Sequence, residues 1–244
     1  MMKKLLLIIT AFSLAINLLA QVDYDKQMPA KVVLDHTLID SVYGIQHYEP
    51  LNVMLSGDSV RMCGTYACQN QVKDYYVTGE LLHSGFYVDG QLKSYKNYYP
   101  NGNVERDFRA IDLYRSQVKK YYESGQLKSQ VKFVEGAVQE WTDFYANGQK
   151  EMEEERTKDC TYHIFARFYY EDGKPMKSLE LADKKKTTYT YKEFYKSGAV
   201  KLEGSKIYKE ELGDYINTGV WKYFDESGSV TKEEKFDNGT LVKN

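Results

Sequence analysis

The chain has 244 residues, with 33 Lys plus Arg against 35 Asp plus Glu, a formal charge of −2 and three cysteines. That balance leaves no electrostatic footprint for nucleic acid, and two close cysteines without a second pair or a nearby histidine make no zinc signature. Tyrosine is abundant, at 23 residues, which suits a thin sheet of amphipathic rings better than a thick aliphatic core.

Residues 1–4 are a short basic start. Leu5 to Ala20 form an apolar run broken only by Thr10, Ser13 and Asn17, and polar sequence follows from Gln21. This has the form of a secretory signal peptide over residues 1–20, with cleavage after Ala20, and it is short for a membrane span. The first cysteine is Cys63, too far from the cut for a lipoprotein. Export to a periplasmic, envelope-associated or extracellular location is therefore expected, and cleavage removes Lys3 and Lys4.

Residues 21–62 lack the pattern that follows and read as an N-terminal cap. Lys31–Leu34 is strand-like. Leu51, Val53 and Leu55 alternate up to Ser56-Gly57-Asp58-Ser59, and Val60 and Met62 follow. This predicts a hairpin, with Gly57 as a degenerate first copy of the later repeat, since terminal repeats must close an open end. Cys63 and Cys68 could bridge across a tight hairpin, leaving Cys160 free.

Residues 63–244 carry one repeated phrase. Gly79, Gly102, Gly125, Gly148, Gly173, Gly198 and Gly228 recur at intervals of 23, 23, 23, 25, 25 and 30. A period in this range marks one supersecondary unit copied along the chain. The residue before each glycine is small and polar (Thr78, Asn101, Ser124, Asn147, Asp172, Ser197, Ser227), a hairpin signal because glycine takes positive φ without a Cβ clash. Four before it stands an aromatic: Tyr75, Tyr98, Tyr121, Phe144, Tyr169, Phe194 or Phe224. Three before it is tyrosine in six copies, with Asp225 the departure. Seven before it is an apolar residue: Val72, Tyr95, Val118, Trp141, Ala166, Tyr191 or Trp221.

Gly90, Gly136 and Gly239 each follow 11 residues later and imply a second turn per repeat. The long interval from Glu203 to Gly219 fits an extended hairpin or loop, and Lys184-Lys185-Lys186 a solvated turn. The expected fold is all-β: an elongated single-sheet array of stacked β-hairpin repeats behind an N-terminal cap, each unit stable only against its neighbours. Ring stacking between repeats would explain the recurring aromatics. Strict alternation sets positions four and seven before the glycine on opposite faces, yet both are apolar. Either a bulge or partial cover on both faces would account for that.

Phrases such as Trp221-Lys222-Tyr223-Phe224-Asp225-Glu226-Ser227-Gly228 and Tyr98-Tyr99-Pro100-Asn101-Gly102 resemble the membrane occupation and recognition nexus (MORN) repeat. They are closest to its bacterial variant, found in secreted proteins labelled YwqK-type antitoxins. The resemblance spans about residues 64–244. It implies rows of hairpins used for protein contacts, sometimes for lipid, and the antitoxin label implies neutralising a toxin.

Two rows are candidate binding residues. Lys73, Lys96, Lys119, Arg167, Lys192 and Lys222, six before the glycine, would align into a cationic stripe for an anionic lipid headgroup or an acidic partner. Interspersed acids and the ordinary use of lysine on exposed strands weigh against this. Tyr76, Tyr99, Tyr122, Tyr145, Tyr170 and Tyr195 could stack on a glycan or a peptide, or hold the sheet together instead.

For catalysis the inventory is thin. His36, His47, His83 and His163 are scattered, and Asp35-His36 and Asp40-Ser41 lack a nucleophile elbow. No glycine loop cradles phosphate, because these glycines end strand phrases rather than open helices. The expected protein is exported, non-enzymatic and free of cofactors and metals, offering a protein-binding or scaffolding surface in the cell envelope. The alternatives are an antitoxin-like partner of a toxin or a carbohydrate- or lipid-binding module.

Overall fold

A computed structural model describes residues 33–34, 48–76 and 78–242. The expected signal peptide, stretches 21–32 and 35–47 of the expected cap, and with them His36, His47, Asp35, Asp40 and Ser41, lie outside the described residues.

The strands in chain order are β1 Val33–Leu34, β2 Met62–Cys63, β3 Tyr66–Ala67, β4 Asn70–Tyr76, β5 Leu81–Val88 and β6 Gln91–Tyr98. Next come β7 Val104–Ala110, β8 Arg115–Tyr121, β9 Leu127–Val134, β10 Ala137–Phe144, β11 Lys150–Arg156 and β12 His163–Tyr169. The last are β13 Pro175–Asp183, β14 Thr188–Phe194, β15 Val200–Lys209, β16 Asp214–Phe224, β17 Val230–Asp237 and β18 Thr240–Val242. From β4 to β18 every strand pairs antiparallel with its sequence neighbours, and β1 adds to β4 in parallel, giving one 16-stranded sheet. β2 and β3 form a separate hairpin. The all-β array of stacked hairpins is thus the observed architecture, and residues 200–224 are its extended hairpin.

The repeated phrase builds the same turn each time. At Tyr99 the backbone N–H of Gly102 donates to the Tyr99 carbonyl at 2.9 Å, and the Tyr99 N–H donates to Asn103 O at 2.8 Å. Gly102 sits at φ +85°, a region where a Cβ is strained. Three of the opposite strand ends use two-residue turns, at 89–90, 135–136 and 238–239, and at Asp89-Gly90 φ is 50° and 75°. Both residues lie at positive φ, the geometry that matches strand twist.

The register breaks at the same place in all seven copies. In β6–β7, Asn97 faces Arg106 and Tyr98 faces Val104, so Glu105 is the extra residue of a bulge. Equivalent shifts precede Tyr75, Tyr121, Phe144, Tyr169, Phe194 and Phe224. This bulge falls on the strand after the glycine, so it leaves the alternation from position seven to position four before the glycine intact. On β4, Val72, Asp74 and Tyr76 are buried while Lys73 is exposed and Tyr75 half-buried. Positions seven and five before the glycine therefore share an inner face, and positions six and four share an outer face. Both faces are partly covered, and the core lies at position seven. The aromatic at position four, including Phe144, is only half-buried.

The predicted hairpin over residues 51–62 does not form. Glu49–Leu51 and Val53–Leu55 are short 3-10 turns, and the Asn52 carboxamide oxygen accepts from Met54 N at 2.9 Å to start the second. Asparagine competes for backbone donors in this way and outweighs the weak alternation. Gly57 is small for a different reason than a repeat turn: a Cβ there would lie 2.5 Å from the Glu49 carbonyl oxygen.

This segment packs on the inner face. Tyr48 and Met54 join Cys68, Val72, Tyr87, Leu92, Tyr95, Phe108 and Val118 in one cluster, where each large ring buried contributes about 1.5–3 kcal/mol. A disulfide joins Cys63 to Cys68, and Arg61 N donates to Gly90 O at 3.0 Å, fixing the segment's end to the β5–β6 turn.

Candidate functional site

The tyrosines three before the glycine form a ladder between repeats. Tyr76 donates its hydroxyl to Tyr98 O, Tyr99 to Tyr121 O, Tyr122 to Phe144 O, Tyr145 to Tyr169 O, Tyr170 to Phe194 O and Tyr195 to Phe224 O, all at 2.7–2.8 Å. Each acceptor is the backbone of the aromatic four before the next glycine. In this row the link between units is therefore a hydrogen bond from ring tip to backbone. The ring-on-ring contact expected from the sequence is made instead by Tyr191 and Trp221, seven before successive glycines, at 5.6 Å. The hydroxyls are engaged, and except at Tyr76 the rings stay half-buried.

The basic row lies on the outer face among acids supplied by the neighbouring strands. Lys96 meets Asp107 at 3.4 Å, Lys192 meets Glu203 at 3.5 Å, and Lys222 meets Glu233 at 3.9 Å. Arg167 grips Glu180 with two bonds, at 2.6 and 2.9 Å, and reaches Glu153 at 3.4 Å. Lys73 stands opposite Ser84, and Lys119 between Asp107 and Gln130. Exposed pairs of this kind contribute about 0–1 kcal/mol each, but they divide the cationic stripe into alternating signs. The sequence carried the signal in an acid five after the glycine (Asp107, Glu153, Glu203, Glu233). Beside these rows a groove of about 270 Å³ opens on the outer face, lined by Gln71, Ser84, Phe86, Ser94, Lys96 and Asp107 among others.

The inner face divides in two. Over β4–β7 the cap segment closes it. The Tyr48 ring stacks on His83 at 3.8 Å and its hydroxyl donates to Asp74 at 3.0 Å. Arg61 pairs with the same carboxylate at 2.5 and 2.7 Å, and Glu49 pairs with Arg106. Charged groups this deep are stable only because each is paired and bonded. Over β10–β17 the described part of the cap does not reach, and Trp141, Phe168, Tyr191, Leu202 and Tyr223 are half-buried. Towards one end of these strands Tyr215 reaches from β16 to His163 and packs on Tyr189, which is 1% exposed. Trp221 and Ala166 are buried as well, at 3% and 7% exposure, Trp221 lying against Gly204, where a Cβ would be 2.3 Å from its ring.

One cluster has the bonding pattern of a relay. The Nε2 of His163 lies 3.2 Å from Glu154 Oε2, and its Nδ1 2.8 Å from the Tyr215 hydroxyl, 52 residues away. Bonding to His163 holds the Glu154 carboxyl below its usual range, and burial pushes the Tyr215 hydroxyl up. Tyr189 donates to the His163 carbonyl at 2.8 Å. Burial likewise raises the thiol of Cys160, which disfavours the reactive thiolate. The cluster holds hairpin ends together. Among the described residues no group of three or more His, Cys, Asp or Glu side chains could hold a metal ion.

Comparison with known proteins agrees with the repeat unit. The family model described as MORN repeat variant matches residues 117–135 and 217–238. The first match is β8, its glycine turn and β9; the second is the end of β16, the Gly228 turn and β17. No curated protein matches. Solved structures with a match include a Staphylococcus aureus TarM point mutant in complex with fondaparinux, α-GlcNAc-glycerol and UDP. It is 9% identical, with a TM-score of 0.27, over 46% of this chain and 20% of that one. A second TarM structure gives 11%, 0.23, 61% and 21%. The match thus spans about a fifth of the TarM chain.

Proposed function

We propose that this chain is an exported, non-enzymatic binding protein of the cell envelope, and that the inner face of β10–β17 is its docking surface for another protein. One observation carries the reading. The cap closes the inner face of the first repeats, whereas the same face of the later repeats, which the described part of the cap does not reach, keeps Trp141, Phe168, Leu202 and Tyr223 half-buried. Eight strands span about 38 Å, and five residues of each about 17 Å, so the open area is on the order of 650 Å². That approaches the ~800 Å² per partner of a standard protein interface. The apolar run at the N-terminus supports export, and the MORN-variant matches support a repeat used for contacts.

Phe168 on the inner face and Phe194 on the outer face make a matched pair for a test. Each is replaced by a photo-crosslinking phenylalanine, and the protein is irradiated in its native envelope. A discrete protein adduct from position 168 and none from 194 is expected. Equal labelling from both faces, or capture of glycan or lipid alone, overturns the reading. Toxin neutralisation would be the same act with one particular partner, and toxicity of the captured protein when expressed alone would identify it.

A further inference from the structure

The sheet aligns the residues five before each glycine, and four after it, in a single row across the inner face. Each member stands directly opposite the next from β4 to β17. Its first four members are Asp74, His83, Asn97 and Arg106, one from each of β4–β7. Lys120 and Ser129 follow on β8 and β9. Strands β10–β13 then supply Asp143, Met152, Phe168 and Lys177. Strands β14–β17 supply Glu193, Leu202, Tyr223 and Lys232. Three times a carboxylate and a cation stand three strand spacings apart, about 14 Å, and each time a ring lies between them. The ring is next to the carboxylate in the first set and next to the cation in the other two.

The first set is filled by the chain itself. Arg61 takes the carboxylate, Tyr48 stacks on the ring at 3.8 Å and Glu49 takes the cation. An occupant offering cation, ring and carboxylate thus answers a row offering carboxylate, ring and cation. Under it Asp74, His83, Asn97 and Arg106 are 0–2% exposed. The other two sets are half-buried or exposed and carry only local partners. Lys177 lies 4.0 Å from the Phe168 centroid, and Lys232 lies 5.1 Å from that of Tyr223 and 2.7 Å from Glu234. Asp143 accepts from Trp141 Nε1 at 2.6 Å, and Glu193 from the Tyr191 hydroxyl at 2.7 Å.

We propose that these two open sets are peptide-recognition subsites. Each takes a segment of a partner protein that presents basic, aromatic and acidic side chains in the order of Arg61, Tyr48 and Glu49, with its ring set nearer the acid. This rests on the inner face being the docking surface. The row carries both signs, so an anionic glycan or lipid surface would meet Asp143 and Glu193 as well as the lysines, whereas a mixed-charge peptide pairs with all of them. Alternating charge also fixes register, because a shifted segment sets like charges together. The segment lies across the strands rather than adding to an edge, as residues 48–55 do with their 3-10 turns.

A labelled synthetic peptide of residues 48–62 is the probe, titrated into the full chain and followed by fluorescence anisotropy. The key variant exchanges two facing residues, Lys177→Glu with Glu193→Lys. It keeps net charge and the local cross-strand pair, so circular dichroism should be unchanged, but it leaves one set with two acids and the other with two cations. Saturable binding to the unaltered chain, weakened at least about tenfold in the exchange variant, is expected. An absence of saturable binding, or equal affinity for both proteins, overturns the proposal. If the peptide fails while position 168 still captures a protein, the row falls and the docking face stands. If both fail, both fall.

Discussion

A tyrosine hydroxyl that donates to the carbonyl of the next repeat must keep its proton, and this makes the ladder sensitive to base. Burial, with a smaller contribution from Glu105, pushes Tyr76 up to about 12, and burial likewise raises Tyr99, Tyr122 and Tyr145. The unfolded chain releases these protons near pH ~10. Below that pH both states hold them and the ladder's contribution is complete. Above it the native state binds more protons than the unfolded one, so stability falls as pH rises. Thermal melts between pH 8 and 12 should show a flat melting temperature up to about 10 and a steep decline beyond. A melting temperature that stays level through pH 12 would separate the hydroxyls from repeat cohesion. The tyrosine spacing was legible in the sequence, but its acceptor was not. A backbone carbonyl leaves no mark in the side-chain pattern.

Two kinds of glycine shape the hairpins, and only one announces itself. The phrase glycines stand at positive φ, as Gly148 does at +86°, and small polar neighbours at a fixed period reveal them. Gly204 sits inside β15 with no such flag. It is small because the Trp221 ring lies on it, with 2.3 Å to an added Cβ. Gly85 plays the same part in β5 under Leu92 and Tyr87, 2.8 Å from each. Gly204→Ala should therefore push the indole outward and destabilise by about 1–3 kcal/mol, with a red-shifted tryptophan emission. An unchanged melting temperature and spectrum would mean the ring shifts without loss. The bulge after each phrase turn belongs to this scale too. It comes from pairing between strands, so the sequence left open whether position four or position seven faces the core.

At the scale of the whole sheet, each hairpin touches only its neighbours, and stability is a sum of units and interfaces. The buried cluster with its cap belongs to β4–β8, whereas β10–β17 rely on ladder bonds, half-buried rings and the separate buried side chains Ala166, Tyr189 and Trp221. Both tryptophans, Trp141 and Trp221, lie in that second half. Tryptophan fluorescence in urea should therefore report a lower midpoint than far-ultraviolet circular dichroism, which averages over all strands. Coincident transitions would show that the cap's stabilisation is shared across the sheet.

Local chemistry was enough for the repeat, its turns and its strands, because positive φ at glycine and the aromatic spacing act within one hairpin. Composition likewise argued against nucleic-acid binding. The tertiary structure alone decided which side of each strand is core, which acids answer the lysines, and that residues 48–61 lie over the first repeats only. Those outcomes depend on register between strands and on contacts such as Tyr48 with His83 or His163 with Tyr215. Partners so far apart in sequence meet only once every intervening bulge has set the strands in place.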